Sequence, residues 1–245
     1  MSAPKIRELV VTHQEFITPN MIRVTLGGAE ISSIPDKHEG GYVKLIFPKA
    51  DGRDMRTYTI RHQRVNEIDL DFVAHHDGGP ASSWAMNAKL GDTILVGGPG
   101  PAKLPSSTAD WHIFTGDMTA LPAISVNLES LADDAKGYAV IEVMSEQDIQ
   151  SIKSPAGVEV KWVINPNPGV DSEFLYNHVK DLPWLEGEAA AWAACEFSSM
   201  KVLRQYFKVE KAISKENLYL SSYWKLGINE EEHKVVKRQD AEAIS

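Results

Sequence analysis

The stretch RTYTIR, residues 56–61, places tyrosine, threonine and isoleucine between two arginines, in a chain with a formal net charge of −9. These residue types favour a β-strand, on which Arg56 and Tyr58 lie on one face. Similar short segments surround the stretch: IRELVVTHQ, MIRVTLGG, YVKLIFP, NEIDLDFVAHH and DTILVGG. Turn signals such as TPN, KADGRD and KLGD separate them. This spacing predicts an N-terminal antiparallel β-barrel over residues 1–104. In EIDLDF, the alternation of Ile68, Leu70 and Phe72 with Asp69 and Asp71 predicts one buried face and one face in water.

The pattern changes after the Pro/Gly-rich segment GGPGPAKLPSS, residues 97–107. Strand-like segments (WHIFTG, GYAVIEVMS, VEVKWVIN, AAAWAACEF, NLYLSSYW) then alternate with helix-like ones (TALPAISVNLESL, SEFLYNHVKDL, SSMKVLRQYFKV). This alternation predicts a Rossmann-like α/β domain over residues 105–245, a parallel sheet with helices on both faces. The charged tail INEEEHKVVKRQDAEAIS is compatible with a terminal helix or with disorder.

Composition narrows the class of protein. Of the 245 residues, 43% are hydrophobic and 24% charged, as in a globular protein. Cys195 is the single cysteine, so no intramolecular disulfide can form, which fits a reducing compartment. No apolar run resembles a signal peptide or a membrane span, so we expect a cytoplasmic protein without membrane insertion. A pI near 5.4 argues against nucleic-acid binding. We expect a monomer.

Four segments contain candidate binding residues. In RTYTIR, Arg56 can fork onto phosphate oxygens, Tyr58 can lie against a ring, and Thr59 can supply a hydroxyl or backbone N–H. A surface-exposed strand of the barrel that binds no ligand would explain the same residues. In HHDGGPASSWA, residues 75–85, Gly79 and Pro80 mark a helix start that can attract phosphate, although a plain helix cap is the commoner reason for such a pattern. The adjacent histidines would point in opposite directions, and no spacing suggests a metal site.

Each of the other two segments, taken alone, is weaker evidence for a binding site. GGPGP, residues 97–101, permits close approach of a ligand to the backbone, or is a linker turn. TGDMTALPA, residues 115–123, runs from a strand through a turn into a helix whose N-terminus offers an anion site, without the GxGxxG fingerprint. Glu196 is interpreted as a capping or orienting residue, and Cys195 as a small buried one.

Read together, RTYTIR, DFVAHHDGGPASSWA, GDTILVGGPG, GDMTALPA, AWAACE and YWKLG resemble the siderophore-interacting proteins of the ferredoxin–NADP reductase superfamily. The resemblance implies an FAD-dependent ferric-siderophore reductase. Arg56 and the turn 79–82 would hold the FAD pyrophosphate, Tyr58 and Thr59 would contact the isoalloxazine, and Asp117 and its neighbours would meet the adenine end or the pyridine nucleotide. The full implied cofactor-binding set is Arg56, Tyr58, Thr59, Asp71, Phe72, Val73, His75, Gly79, Ala81, Ser82, Asp117, Thr119 and Ala120.

The same resemblance implies a basic pocket for an anionic ferric siderophore, for which we nominate Lys44, Lys103 and Lys225. No catalytic side chain and no protein-bound metal is expected, because the flavin performs the chemistry. The electron donor stays open between NADH, NADPH and ferredoxin. Glu146 and Asp148, just past the second strand of the α/β domain, favour a ribose hydroxyl and hence NADH, whereas a tail covering the nicotinamide site would favour ferredoxin. Two alternatives remain: a general flavin reductase without a siderophore role, and a carrier of ferric siderophore without turnover.

Overall fold

The computed structural model describes residues 5–49, 52–74 and 79–243. The chain divides into two compact units, Met1–Leu104 and Pro105–Ser245, called here the barrel unit and the α/β unit. The barrel unit contains as many acidic as basic residues, so the net charge of −9 belongs to the α/β unit. No helix in the described part of the chain is long and apolar enough to cross a membrane.

The barrel unit is a closed barrel of six antiparallel strands, and the predicted fold of this part is confirmed. The strands follow one another around the barrel in the order β1-β2-β5-β4-β3-β6. Their bounds are β1 Ile6–Thr18, β2 Met21–Gly27, β3 Tyr42–Lys49, β4 Gly52–Arg64, β5 Glu67–Val73 and β6 Thr93–Gly100. One helix, α1 (Pro80–Asn87), begins at the predicted proline and packs Ala81 and Ala85 into the barrel core.

Strand β5 departs from the expected pattern. Asp69 and Asp71 are only 3% and 7% exposed, so the prediction that their face lies in water is wrong. Arginines on neighbouring positions cover them: Arg64 binds both oxygens of Asp69, and Arg23 binds both oxygens of Asp71. The ion pairs and Thr25 lower the pKa of Asp69 to about 2 against the opposing effect of burial. The alternation correctly assigned these residues to two faces of the strand. The acidic face is nevertheless buried, because a carboxylate that receives two hydrogen bonds from an arginine can be buried.

The α/β unit contains a parallel sheet, as predicted, and its five strands lie in the order β11-β10-β7-β8-β9. Its strands are β7 Trp111–Gly116, β8 Lys136–Val143, β9 Gly157–Ile164, β10 Ala189–Glu196 and β11 Leu218–Trp224. Its helices are α2 Leu121–Ser130, α3 Phe174–Lys180, α4 Phe197–Arg204 and α5 Glu230–Ala243, and a π-helical turn, Gln205–Glu210, continues α4. Because β8 and β9 lie on one side of β7 while β10 and β11 lie on the other, the strand order reverses between β7 and β10.

Both faces of this sheet are buried at its central strands, β7, β8 and β10. Alternate residues of β10, Ala191, Ala193 and Cys195, belong to the core that includes residues of α3 and α4. Every residue of β10 is buried, which explains the near-continuous apolar run AAAWAACE. Cys195 is 1% exposed, and burial raises the pKa of its thiol well above the ordinary value, so it is the inert small core residue that was predicted.

The charged tail forms a helix, which decides between the two expectations for it. Helix α5 places only His233 in a buried position. The imidazole of His233 shares a hydrogen bond of 2.9 Å with Ser222 Oγ, and burial is the main cause that lowers its pKa to about 4. A two-pronged ion pair between Arg204 and Asp240, at 2.6 and 2.9 Å, joins α4 to α5.

Candidate functional site

Arg56 and Tyr58 lie on the same face of β4, as the alternation predicts. Their cross-strand partners on β3 are Leu45 and Val43, both core residues with no exposed surface. Arg56 stays partly exposed and lies 4.0 Å from the Asp54 carboxylate, an ion pair at the limit of contact. The guanidinium is therefore held, partly exposed, at the edge of the barrel core.

The start of helix α1 lies beside this arginine. A Cβ atom built on Gly79, the N-cap residue, would be 3.9 Å from both Nε and Nη2 of Arg56. Gly79 has no side chain with which to cap the helix, and the first-turn N–H groups of any α-helix lack intrahelical acceptors. Ser82 Oγ donates to the Val73 carbonyl at 3.1 Å, which fastens the first turn of α1 to the end of β5. The structure thus brings Arg56, Val73 and residues 79–82 together.

These donors fit a pyrophosphate group. A guanidinium and a helix N-terminus both favour anions, and at this position no carboxylate of the described residues caps the helix. The N-termini of α2 and α4 differ in this respect. Glu196 caps α4 by accepting from the N–H groups of Ser198 and Ser199, as its predicted capping role requires. The turn before α2 is occupied by the carboxylate of Asp117.

Aromatic rings line the same part of the barrel. Tyr58 packs at 4.2 Å between ring centroids against Phe72, which in turn lies 5.8 Å from Trp84. Phe47 completes the group, 6.2 Å from Trp84. Tyr58 and Trp84 are partly buried and can offer an aromatic surface to a flat ring, whereas Phe72 has no exposed surface and acts as their support.

For three of the proposed cofactor-binding residues on and after β5, only backbone groups are available to a ligand. The Asp71 carboxylate is engaged by Arg23, and the Phe72 side chain is wholly buried, so both can offer a ligand only their backbone. Ala81 is likewise 3% exposed, and what it can present is its N–H in the first turn of α1. His75 lies outside the described residues.

Thr59 and Lys44 lie on the opposite side of the β3–β4 pair. Thr59 pairs with Tyr42, and Lys44 with Thr57, so these residues alternate with the core-facing Val43 and Tyr58. Lys44 is exposed, as is Lys103 beyond the end of β6. Gly100 has a structural explanation that does not involve a ligand, because a Cβ atom there would lie 2.1 Å from a ring carbon of Tyr42.

In the α/β unit, Asp117 is the centre of a hydrogen-bond cluster at the carboxyl ends of the strands. Its Oδ1 accepts from Thr119 N (2.9 Å) and Thr119 Oγ1, and its Oδ2 accepts from Glu196 N (3.0 Å) and Trp224 Nε1 (2.7 Å). Burial raises the pKa of Asp117, and these donors oppose the rise. The expectation of an anion site at the start of α2 is therefore wrong, because an acidic side chain already occupies the turn.

Of the other predicted residues in the α/β unit, some are buried or already bonded within the fold, and others remain exposed. Ala120 has no exposed surface, so of the residues 117–120 only Thr119 is partly exposed. Asp148 is buried and caps its own turn by accepting from Ser145 N and Oγ, which removes it as a ribose ligand, whereas Glu146 is exposed. Lys225 is partly buried, with its Nζ 4.9 Å from the centroid of the Phe197 ring.

Glu142, near the end of β8, was not identified from the sequence. It is 5% exposed and accepts a hydrogen bond of 2.7 Å from Asn165 Nδ2. Burial, together with the charges of Asp117 and Asp171, raises its pKa to about 7. The acid stands in an otherwise apolar strand, GYAVIEV, and that isolated position was the available signal. Trp224 was also missed, because nothing in YWKLG distinguishes an indole bound to Asp117 from a core tryptophan.

The similarity of this chain to known proteins indicates the same cofactor, FAD, as the residues of the site. Residues 109–227 match the family model "Siderophore-interacting protein", and residues 10–55 and 53–103 match "Siderophore-interacting FAD-binding domain", which bears out FAD as the cofactor. The chain is 32% identical to the ferric vibriobactin reductase ViuB of Vibrio cholerae, over 93% of this chain and 92% of that protein. It is 28% identical to the ferric acinetobactin reductase of Acinetobacter baumannii, over 72% of this chain and 63% of that protein.

A solved structure agrees. The siderophore-interacting protein SipS from Aeromonas hydrophila superposes with a TM-score of 0.88 at 30% identity, covering 98% of this chain and 99% of that one. The resemblance drawn from the motifs is thereby confirmed along nearly the whole sequence. This chain belongs to the siderophore-interacting protein family.

Proposed function

We propose that this protein is an FAD-dependent ferric-siderophore reductase, in which the barrel unit holds FAD with Arg56 and the first turn of α1. The observation that carries the proposal is the position of Gly79 beside Arg56: a Cβ atom built on this glycine would lie 3.9 Å from Nε and from Nη2 of the guanidinium. An anion at this place receives a charged fork from one side and helix N–H groups from the other. Tyr58 and Trp84 offer aromatic surface for the flavin ring.

When bound, FAD supplies the electron transfer that reduces Fe(III) to Fe(II). The protein need not contribute an acid, a base or a nucleophile to such a reaction. Its own groups position the cofactor and attract the substrate. Hard oxygen donors of a siderophore suit Fe(III) much better than Fe(II), so reduction loosens the complex and releases the metal for use in the cell.

We assign the attraction of an anionic ferric siderophore to Lys44, Lys103 and Lys225. In a chain with a net charge of −9, an anionic substrate needs local positive charge. Replacing all three by glutamine should weaken ferric-siderophore binding about tenfold, because charges at the protein surface contribute roughly 0.5 kcal/mol each. The control is the triple replacement of the exposed residues Lys89, Lys153 and Lys215, which changes the net charge equally. Equal weakening by both triple variants would remove the three lysines from the site.

The electron donor is proposed to be NADH, NADPH or a ferredoxin. The exposed Glu146 beyond β8 favours a ribose hydroxyl and thus NADH. The alternative is a ferredoxin, with helix α5 covering the nicotinamide site. We further propose that the protein is a monomer that acts in the cytoplasm. We also propose a domain boundary between residues 104 and 105, and the division of the chain into two compact units supports this boundary.

Two experiments test the function. First, Arg56→Ala is compared with Arg53→Ala, an exposed arginine on the same strand. Loss of a charged phosphate contact should weaken FAD binding about tenfold to hundredfold in the first variant and leave it unchanged in the second. Unchanged flavin occupancy in Arg56→Ala would refute the cofactor assignment, and a protein that never holds flavin would be a carrier.

Second, the FAD-loaded protein is photoreduced without oxygen and mixed with a ferric siderophore and an Fe(II) chelator. Flavin reoxidation together with chelated Fe(II) is the expected result. A flavin that stays reduced with hydroxamate, catecholate and carboxylate complexes alike would identify a general flavin reductase instead. Because a sacrificial photodonor such as EDTA supplies the electrons under illumination, this result does not depend on the physiological electron donor.

A further inference from the structure

A carboxylate lies beside the guanidinium of Arg56 on the same strand. Asp54 and Arg56 are two residues apart on β4, so their side chains lie on one face, and Asp54 Oδ2 is 4.0 Å from Arg56 Nη2. The side chains of Asp54 and Arg56 are 23% and 15% exposed, so water and salt screen their charges only in part. This carboxylate and a phosphate group of FAD would therefore be attracted to the same guanidinium.

Lys49 binds the other oxygen of this carboxylate from the neighbouring strand. Lys49 is the last residue of β3, and its Nζ donates to Asp54 Oδ1 at 2.7 Å. The negative charge of Asp54 thus faces two cations, a lysine in direct contact and an arginine at the limit of contact. Because Lys49 neutralises part of this charge, it weakens the attraction of Asp54 for Arg56.

Another arginine of the barrel unit shows what a fixed ion pair looks like in this fold. Arg23 binds both oxygens of Asp71 at 2.7 Å, and Asp71 is buried. The contact between Arg56 and Asp54 is longer, at 4.0 Å, and its carboxylate is more exposed. An anionic ligand can therefore replace Asp54 as the partner of Arg56 more easily than it could separate the buried pair.

We propose that Asp54 is the counter-ion that Arg56 exchanges for the pyrophosphate of FAD, and that its charge sets the affinity of the protein for this cofactor. The inference rests on the proposed function, because it takes Arg56 and the turn at Gly79 as the phosphate site. Before FAD binds, Asp54 provides a negative charge for the partly buried guanidinium. When FAD binds, a phosphate becomes the partner of Arg56, and the charge of Asp54 repels this phosphate.

The two cations around Asp54 lead to opposite expectations for the two ends of this chain of charges. Removing the charge of Asp54 ends both the competition for Arg56 and the repulsion of the phosphate, so FAD should bind more tightly. Removing the charge of Lys49 leaves the carboxylate less neutralised, so it should hold Arg56 more strongly and FAD should bind more weakly. The second effect requires the charge of Asp54, so it should nearly vanish when that charge is absent.

The test follows the release of FAD from the loaded protein on dilution, by the fluorescence of the free flavin. Asp54→Asn should hold FAD about three- to tenfold more tightly than the wild type, and Lys49→Gln about three- to tenfold less tightly. In the Asp54→Asn background, Lys49→Gln should change the affinity by less than about twofold. The matched controls are Asp36→Asn and Lys89→Gln, which remove exposed charges of the same barrel unit and should equal the wild type.

Salt gives a second readout that a purely structural role of Asp54 would not change. Raising the ionic strength from about 0.15 M to about 1 M shortens the screening length from roughly 8 Å to roughly 3 Å. The difference in FAD affinity between Asp54→Asn and the wild type should therefore shrink at high salt. A difference that is independent of salt would contradict an electrostatic role.

Equal FAD affinity in Asp54→Asn and the wild type overturns the proposal, as does weaker binding in Asp54→Asn, which would identify Asp54 as a direct contact of FAD. An effect of Lys49→Gln that is equally large in both backgrounds also overturns it, since Lys49 would then act on the phosphate itself. If Asp54→Asn does not fold, Asp54→Thr removes the same charge with a residue that favours strands.

Arg56→Ala separates this inference from the proposed function. Weaker FAD binding in Arg56→Ala, together with unchanged binding in Asp54→Asn, refutes the counter-ion and leaves the phosphate site intact. Unchanged binding in Arg56→Ala refutes the phosphate site, and the counter-ion with it.

Discussion

Replacing Glu142 by glutamine should make the α/β unit more stable at alkaline pH. The folded pKa of this acid is raised from its ordinary value of 4.5 to about 7 by burial and by the charges of Asp117 and Asp171. Between about pH 4.5 and pH 7 the unfolded chain releases the proton while the folded protein retains it, so the contribution of this acid to the free energy of unfolding falls as the pH rises. A shift of this size corresponds to about 3 kcal/mol above pH 7, at ~1.4 kcal/mol per pKa unit.

Glutamine removes this loss, because it does not ionise and its carbonyl can still accept the hydrogen bond from Asn165. We expect Glu142→Gln to be more stable than the wild type by up to about 3 kcal/mol at pH 8 and nearly equal to it at pH 4. Urea unfolding followed by tryptophan fluorescence reports on this unit, since every tryptophan except Trp84 lies in it.

The matched control is Glu146→Gln, which removes an exposed carboxylate four residues away and should change stability by less than about 0.5 kcal/mol at either pH. A Glu142→Gln variant with no stability advantage over the wild type at pH 8 would show that Glu142 ionises normally in the folded protein.

Three further perturbations follow from the fold. Gly137→Ala should destabilise the protein by more than about 3 kcal/mol, since its Cβ would lie 1.8 Å from the His112 carbonyl oxygen at a φ of +140°; a thermal melt within a few degrees of the wild type contradicts this. The pKa of Asp69 is lowered to about 2, so its ionised carboxylate stabilises the fold above pH 4, and this stabilisation is lost as the pH falls towards 2. In Asp69→Asn the free energy of unfolding should therefore depend less on pH in that range, as measured by circular dichroism. Arg204→Ala should release the end of α5 by breaking the pair with Asp240, seen as faster amide exchange in residues 230–243 than in the core strands; unchanged exchange argues that α5 is held by other contacts.

Much of the fold was predictable because its signals are local. Period-two alternation and turn residues located the barrel strands, and the alternation of strands with helices predicted the parallel sheet. The helix start at Pro80 and the capping role of Glu196 were also correct, since both depend on residues within one turn. The anion site at the start of α2 was wrongly predicted, because no rule of sequence spacing shows that Asp117 would turn inward to accept from Glu196 and Trp224, which are far away in the chain.

The sequence by itself determined the family, the order of the two units and the strand that carries Arg56 and Tyr58, since these depend on hydrophobic period and short motifs. Only the tertiary structure decided which polar groups remain available to a ligand. Asp71 and Asp148 have the letters of binding residues, yet each is used by the fold: Asp71 pairs with Arg23, and Asp148 caps its own turn in a buried position. The physical reason is that a buried charge must find partners, and partners distant in sequence are chosen by packing.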